Sequence, residues 1–109
     1  MSKLLTEMLE GTLQGIVLAI VAEESTYGYE ITGRLREHGF DDIAEGTVYA
    51  LLVRLEQKRF VEVRKVPSEK GPPRKMYSLT AGGEDELEDF WRTWRFLADR
   101  IEQLRKLRR

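Results

Sequence analysis

Between Thr80 and Arg109 the apolar residues Leu87, Phe90, Trp94, Leu97, Ile101 and Leu104 recur at alternating spacings of three and four. That is the heptad rhythm of a helix with one apolar seam. Thr80 suits its N-cap, Glu84, Asp85 and Glu86 suit the positive end of its dipole, and Arg105, Lys106, Arg108 and Arg109 suit the negative end. At ~1.5 Å rise per residue such a helix is about 40 Å long, more than a small domain needs to cover its own core. The seam is therefore expected to meet a second copy of the chain, making a homodimer through Leu87, Phe90, Trp94, Leu97, Ile101 and Leu104. Trp91 lies beside it, so Trp91 and Trp94 bring two large flat rings to the same place, either as core or as a slot for a flat apolar ligand between subunits.

The remaining length, in a chain of 109 residues, has room for one core. From Leu4 to Ala22 the sequence predicts a central helix, apolar almost all round through Leu13, Ile16, Val17, Leu18, Ile20 and Val21. Gly11 and Gly15 share one face of it, a place for close approach by a packed helix or by a ligand. A second helix follows, capped by Ser25 or Thr26, packed through Tyr27, Tyr29, Ile31 and Leu35, and ended at His38-Gly39. After a short connection, Glu45 to Phe60 places Val48, Leu51, Leu52 and Leu55 on one buried stripe. The other side carries Gly46, Thr47, Ala50, Val53, Arg54, Gln57 and Lys58, small at first and polar or basic later, with no carboxylate. Helix, tight connection and helix make a helix-turn-helix, and this third helix has a face fit for a DNA groove.

Beyond Phe60 the period changes from 3.6 to 2. Val61 and Val63 alternate with Glu62 and Arg64, and Lys75 to Leu79 alternates again after a loop from Pro67 to Pro73. A two-stranded hairpin whose tip carries Lys70, Gly71, Arg74 and Lys75 completes a winged helix. The expected architecture is mainly α, with residues 1–79 as a winged helix-turn-helix and residues 80–109 as a dimerisation helix within one compact domain.

Composition narrows the function. With 41% hydrophobic and 34% charged residues the chain is globular, and its longest uncharged apolar run, Ile16 to Ala22, is too short to span a bilayer. No membrane partner and no export are expected, and the absence of cysteine suits a cytoplasmic setting beside the nucleoid. The net charge of −1 hides a strong asymmetry: residues 1–45 carry −6, residues 46–79 carry +5, and residues 80–109 are balanced. Positive charge is concentrated in the third helix and the hairpin, where a phosphate-binding surface belongs. An enzyme has little support, with one histidine, His38, at a helix end, and no cluster of acid, base and nucleophile; no cofactor or metal is implied. A winged-helix dimer serving as a protein-interaction module is the competing reading.

The strings EGTLQGIVLAIV, YGYEI, EGTVYALLVRLEQKRFV and GPPRKMYSLTAGG together cover nearly the whole chain. They resemble the PadR family of bacterial transcriptional regulators, and the single terminal helix resembles its compact subfamily, which includes multidrug-binding members. The resemblance implies a homodimeric winged-helix repressor on a palindromic double-stranded operator, released by a small molecule. It implies that Tyr27, Gly28, Gly46, Thr47, Tyr49, Ala50 and Arg54, with Gln57 and Lys58 farther along the helix, face DNA, and that Lys70, Gly71, Arg74 and Lys75 hold phosphates. It also implies an effector slot at Trp94, with Trp91, Met8, Gly11 and Gly15 around it, for a small flat hydrophobic ligand. Ala98, about one turn after Trp94, offers no carboxylate to a cationic one.

Overall fold

The core is built by three helices whose apolar stripes converge: Val17, Leu18, Ile31, Leu35, Val48, Leu52 and Leu55 are wholly buried. In the computed structural model, which describes residues 2–108, these belong to α1 (Lys3–Glu23), α2 (Gly28–Glu37) and α3 (Glu45–Gln57). Around them lie β1 (Thr26–Tyr27), β2 (Val61–Val66), β3 (Arg74–Leu79) and the long α4 (Ala81–Leu107). Ser2 starts α1 by accepting the Leu5 N–H at 3.1 Å. By length and composition alone α1 is apolar enough to cross a membrane; here its second half is the central core helix, while Leu4, Leu5 and Met8 in its first half are exposed. Arg109, expected at the end of α4, lies outside the described residues.

The second helix starts differently from expectation. Neither Ser25 nor Thr26 caps it; Tyr27 is the N-cap residue, and the Glu30 carboxylate reaches back to accept the Tyr27 N–H at 3.2 Å. Thr26 and Tyr27 instead form a strand, pairing antiparallel with Tyr77 and Met76 of β3. The sheet thus has three strands in the order β1-β3-β2, one more than the expected hairpin. Two residues are too few to show an alternation, so only the tertiary contact creates β1. The Ser25 and Ser78 hydroxyls, 2.9 Å apart, close the same seam.

Two helix ends are built alike. At α2 the Phe40 and Gly39 N–H groups bond to Leu35 and Arg36 carbonyls, with Gly39 at φ +93°. At α3 the Phe60 and Arg59 N–H groups bond to Leu55 and Glu56 carbonyls, and the left-handed residue is Arg59, at φ 62°. Both are Schellman ends. A side chain in that conformation costs roughly 1–2 kcal/mol, part of which glycine would return through its own chain entropy. Arg59→Gly is expected to raise stability by about 0.5–1 kcal/mol, read as a higher urea midpoint with an unchanged slope.

The end of α3 is tied directly to the start of α4. The Thr80 hydroxyl donates to the Arg59 carbonyl at 2.6 Å and accepts the Gly83 N–H at 3.0 Å, while the Thr80 N–H donates to the Phe60 carbonyl at 3.1 Å. Thr80 is the expected cap. From there α4 lies on α1: Gln14 Nε2 donates to Glu86 at 3.2 Å, Leu87 packs against the core, and the Phe90 ring covers Gly15. Past Phe90 the helix leaves the globule. The chain is 61 Å along its longest axis with a radius of gyration of 16.0 Å, against about 13 Å for a compact domain of this size.

Candidate nucleic-acid interface

The third helix divides into the expected faces. Val48, Leu51, Leu52 and Leu55 are buried, and Gly46, Thr47, Tyr49, Ala50, Val53, Arg54, Gln57 and Lys58 are all exposed. At 100° per residue Gly46, Ala50, Val53 and Gln57 form the crest of the outward side. The polar residues on its flanks go to different neighbours. Thr47 and Arg54 line a cleft of about 480 Å³ between α1 and α3, floored by Leu9, Leu13, Ile43 and Leu51. Lys58 turns the same way, its Nζ 3.4 Å from Gln14 Oε1. On the other flank, Tyr49 and Val53 line a second cleft of about 560 Å³ with Gly28, Tyr29, Lys70, Arg74 and Lys75. This second cleft joins the start of α2, the middle of α3 and the wing, and it brings together Gly28, Tyr49, Lys70, Arg74 and Lys75 of the expected DNA-facing set, while Thr47 and Arg54 go to the first.

Its floor is Tyr77, only 6% exposed. A Cβ on Gly28 would stand 3.0 Å from the Tyr77 ring and 3.4 Å from that of Tyr49, so glycine lets α2 begin close against both. Burial first, then the Glu56 carboxylate and the neighbouring Tyr49, raise the Tyr77 phenol above its ordinary 10.

The wing is held at its base and open at its tip. Val66 pairs with Arg74 at the mouth of the loop, and Gly71 turns it at φ +96°. One rung lower, Lys65 lies directly across from Lys75. Like charges in that position are destabilising unless an anion joins them. Among the described residues, no Lys or Arg from 46 to 79 is in an ion pair, whereas Arg34, Arg92 and Arg105 pair with carboxylates elsewhere. The +5 segment is therefore unneutralised by the protein itself.

Two participants lie outside the set expected from sequence. Lys65 is one; extending the hairpin symmetrically about its loop sets it against Lys75. Tyr29 is the other. Expected in the packing of α2, it is instead 52% exposed, and its hydroxyl accepts Arg74 Nη1 at 3.0 Å. The buried stripe of α2 is Gly28, Ile31, Thr32 and Leu35, and Tyr29 stands outside that 3-4 spacing, which is the signal the sequence carries.

Residues 17–89 match the family model described as the transcriptional regulator PadR-like family. The chain belongs to that family. The PadR-like transcriptional regulator of Bacillus cereus, known from a crystal structure, is 37% identical over 90% of this chain and 95% of its own, with a TM-score of 0.80. A Streptococcus transcriptional regulator is 40% identical over 90% of this chain and 96% of its own, with a TM-score of 0.81. A curated relative from Lysinibacillus sphaericus, an uncharacterised protein, is 32% identical over 91 residues, or 82% of this chain and 84% of that one. As a PadR-like regulator the chain is a DNA-binding protein, and the Bacillus cereus and Streptococcus relatives are both described as transcriptional regulators.

The remaining expected site residues of this PadR-like chain lie along α1 and α4. Gly15 is buried, and a Cβ there would come within 2.2 Å of Phe90 Cδ1 of the same chain. A Cβ on Gly11 would meet nothing within 4 Å. Met8, Trp91 and Trp94 are about half exposed, and the Phe90 and Trp91 rings touch with centroids 5.1 Å apart. None of Met8, Gly11, Gly15, Trp91 and Trp94 lines either cleft. Of the seam, Leu87 and Phe90 are half-buried in their own chain, while Trp94, Leu97, Ile101 and Leu104 are open to solvent.

Proposed function

We propose that this PadR-like regulator is a cytoplasmic, nucleoid-associated homodimeric repressor that holds a palindromic operator and lets go when a small flat apolar molecule binds between its subunits. The observation that carries the reading is the overhang of α4, which exposes Trp94, Leu97, Ile101 and Leu104 on one seam while its polar residues pair along the helix. A monomer rarely leaves such a stripe in water. Residues 80–109 act as the dimerisation helix and residues 1–79 as the DNA-binding part. Two α3 helices enter successive major grooves about 34 Å apart. Gly46, Thr47, Ala50 and Val53 let each helix approach closely, Tyr49 stands at the flank beside the wing, and Arg54 and Gln57 are the side chains able to read purine edges. Tyr27, Lys58, Lys70, Gly71, Arg74 and Lys75 meet the backbone, with Lys65 beside Lys75, while Gly28, buried against Tyr77 and Tyr49, sets how closely α2 begins beside them.

The effector occupies the space between paired α4 helices, against Trp91 and Trp94, with Met8 and Gly11 of α1 nearby and Gly15 closed off by Phe90 of its own chain. Rotating one α4 on the other changes the spacing of the two α3 helices. A coupling of ~1–3 kcal/mol is enough, since it alters operator affinity about 5- to 150-fold. Flat aromatic compounds should quench the tryptophan fluorescence and weaken DNA binding together.

The test is binding to the duplex upstream of the protein's own gene across a range of salt. Arg74→Ala with Lys75→Ala should weaken it at every sequence tested and lower the slope of log K against log salt by about 0.9 for each phosphate no longer neutralised. Unchanged affinity and slope would remove the wing from the interface.

A further inference from the structure

Nothing in the packing of the core requires Tyr29. Its ring nevertheless lies on that of Tyr27, with centroids 5.6 Å apart and planes 11° from parallel, and its hydroxyl accepts the Arg74 guanidinium at 3.0 Å. The guanidinium carbon is 5.4 Å from the Tyr29 ring centroid and 5.9 Å from that of Tyr27, within the ~6 Å over which a cation is drawn to an aromatic face. No carboxylate competes for it among the described residues. Arg74 is also the first residue of β3, paired with Val66, and is therefore the first fixed point after the loop that carries Lys70. Whatever fixes Arg74 fixes the root of the wing tip.

We infer that Tyr29 is a positioning residue for DNA recognition, acting through Arg74 to join the start of α2 and the wing into one rigid phosphate-binding unit. The inference rests on the proposal that Arg74 contacts DNA. A guanidinium has five N–H donors in a planar fork. The phenol takes one of them, and the others remain for a phosphate, which such a fork can grip with two bonds. Because the two rings already hold the arginine, it loses less side-chain freedom when DNA arrives than a free surface arginine would. Tyr29 thus affects affinity without contributing charge and without touching the nucleic acid.

The experiment measures fluorescence anisotropy of the upstream duplex with four full-length proteins: wild type, Tyr29→Phe, Arg74→Ala and the double variant. Tyr29→Phe keeps the stacked ring and removes only the hydrogen bond, so it should melt like wild type. It should bind roughly three- to tenfold more weakly with the salt slope unchanged. Arg74→Ala should bind more weakly still with a reduced slope, and the double variant no more weakly than Arg74→Ala alone. Wild-type binding by Tyr29→Phe, or losses that simply add in the double variant, would overturn the positioning role while leaving Arg74 as a DNA contact. Wild-type binding by Arg74→Ala would overturn the DNA contact itself, and this inference with it.

Discussion

If the α4 seam is the dimer interface proposed above, Leu97→Glu with Ile101→Glu should yield a helical monomer whose operator affinity is lower by at least about two orders of magnitude. The two residues are four apart, about one helical turn, 48% and 49% exposed in the single chain, and beyond the region where α4 rests on α1. Their replacement therefore leaves the intramolecular packing of Leu87 and Phe90 intact. Full burial of a leucine or isoleucine contributes about 1.5–3 kcal/mol. In a symmetric pair four such side chains are removed, and four carboxylates are placed face to face. Without dimerisation each half-site is bound separately, and the avidity of a linked second site, typically ~10²–10⁴, disappears. Sedimentation equilibrium at micromolar protein reads the mass, circular dichroism the helix content, and anisotropy the affinity. A variant that still sediments as a dimer would place the interface elsewhere.

Gly83→Ala should unfold the protein at a much lower temperature than any neighbouring substitution. A Cβ on Gly83 would stand 2.0 Å from the Phe60 carbonyl oxygen, 2.9 Å from its carbon and 3.1 Å from Leu79 Cγ. The first two atoms are backbone, and the oxygen already accepts the Thr80 N–H, so no side-chain rotation relieves the clash. Either α4 lifts away or the left-handed turn at Arg59-Phe60 opens. Overpacking of this kind costs about 3 kcal/mol, and at ~4–8 °C per kcal/mol the melting temperature falls by roughly 12–24 °C. Gly82→Ala is the control, because its nearest neighbour is the Arg59 carbonyl oxygen at 3.6 Å, an ordinary van der Waals distance. Equal melting temperatures for the two variants would mean that α4 does not begin so closely on Phe60.

Much of the fold is legible in the sequence because long periodic segments state their own geometry. Val48, Leu51, Leu52 and Leu55 announce the buried side of α3, the change to alternation at Val61 announces the hairpin, and the heptad from Leu87 announces α4. The features that periodicity does not announce depend on partners distant in sequence. β1 exists only because Thr26 and Tyr27 meet β3. Arg59 adopts a left-handed turn that its residue type does not advertise, since the hydrogen bonds of the α3 end and Thr80 impose it. The outward side of α3 is legible as one surface, but its division between a cleft on α1 and a cleft on the wing follows from the neighbours on each flank. Tyr29 departs from expectation for a different reason. An aromatic residue in a short amphipathic helix reads as core, although its spacing from Ile31 and Leu35 puts it on another face.

The proposed function joins the unpaired cations of the wing, the small-residue crest of α3 and the exposed seam of α4 in one property, the reading of a two-fold DNA site by two copies of the chain. Titration of a labelled duplex from the promoter region, against a scrambled duplex of the same length, measures it most directly when stoichiometry is followed at the same time. The expected result is two chains per duplex, a preference for the natural sequence of about a thousandfold or more, and affinity that falls steeply with salt. One chain per duplex, or equal affinity for the scrambled sequence, would contradict it.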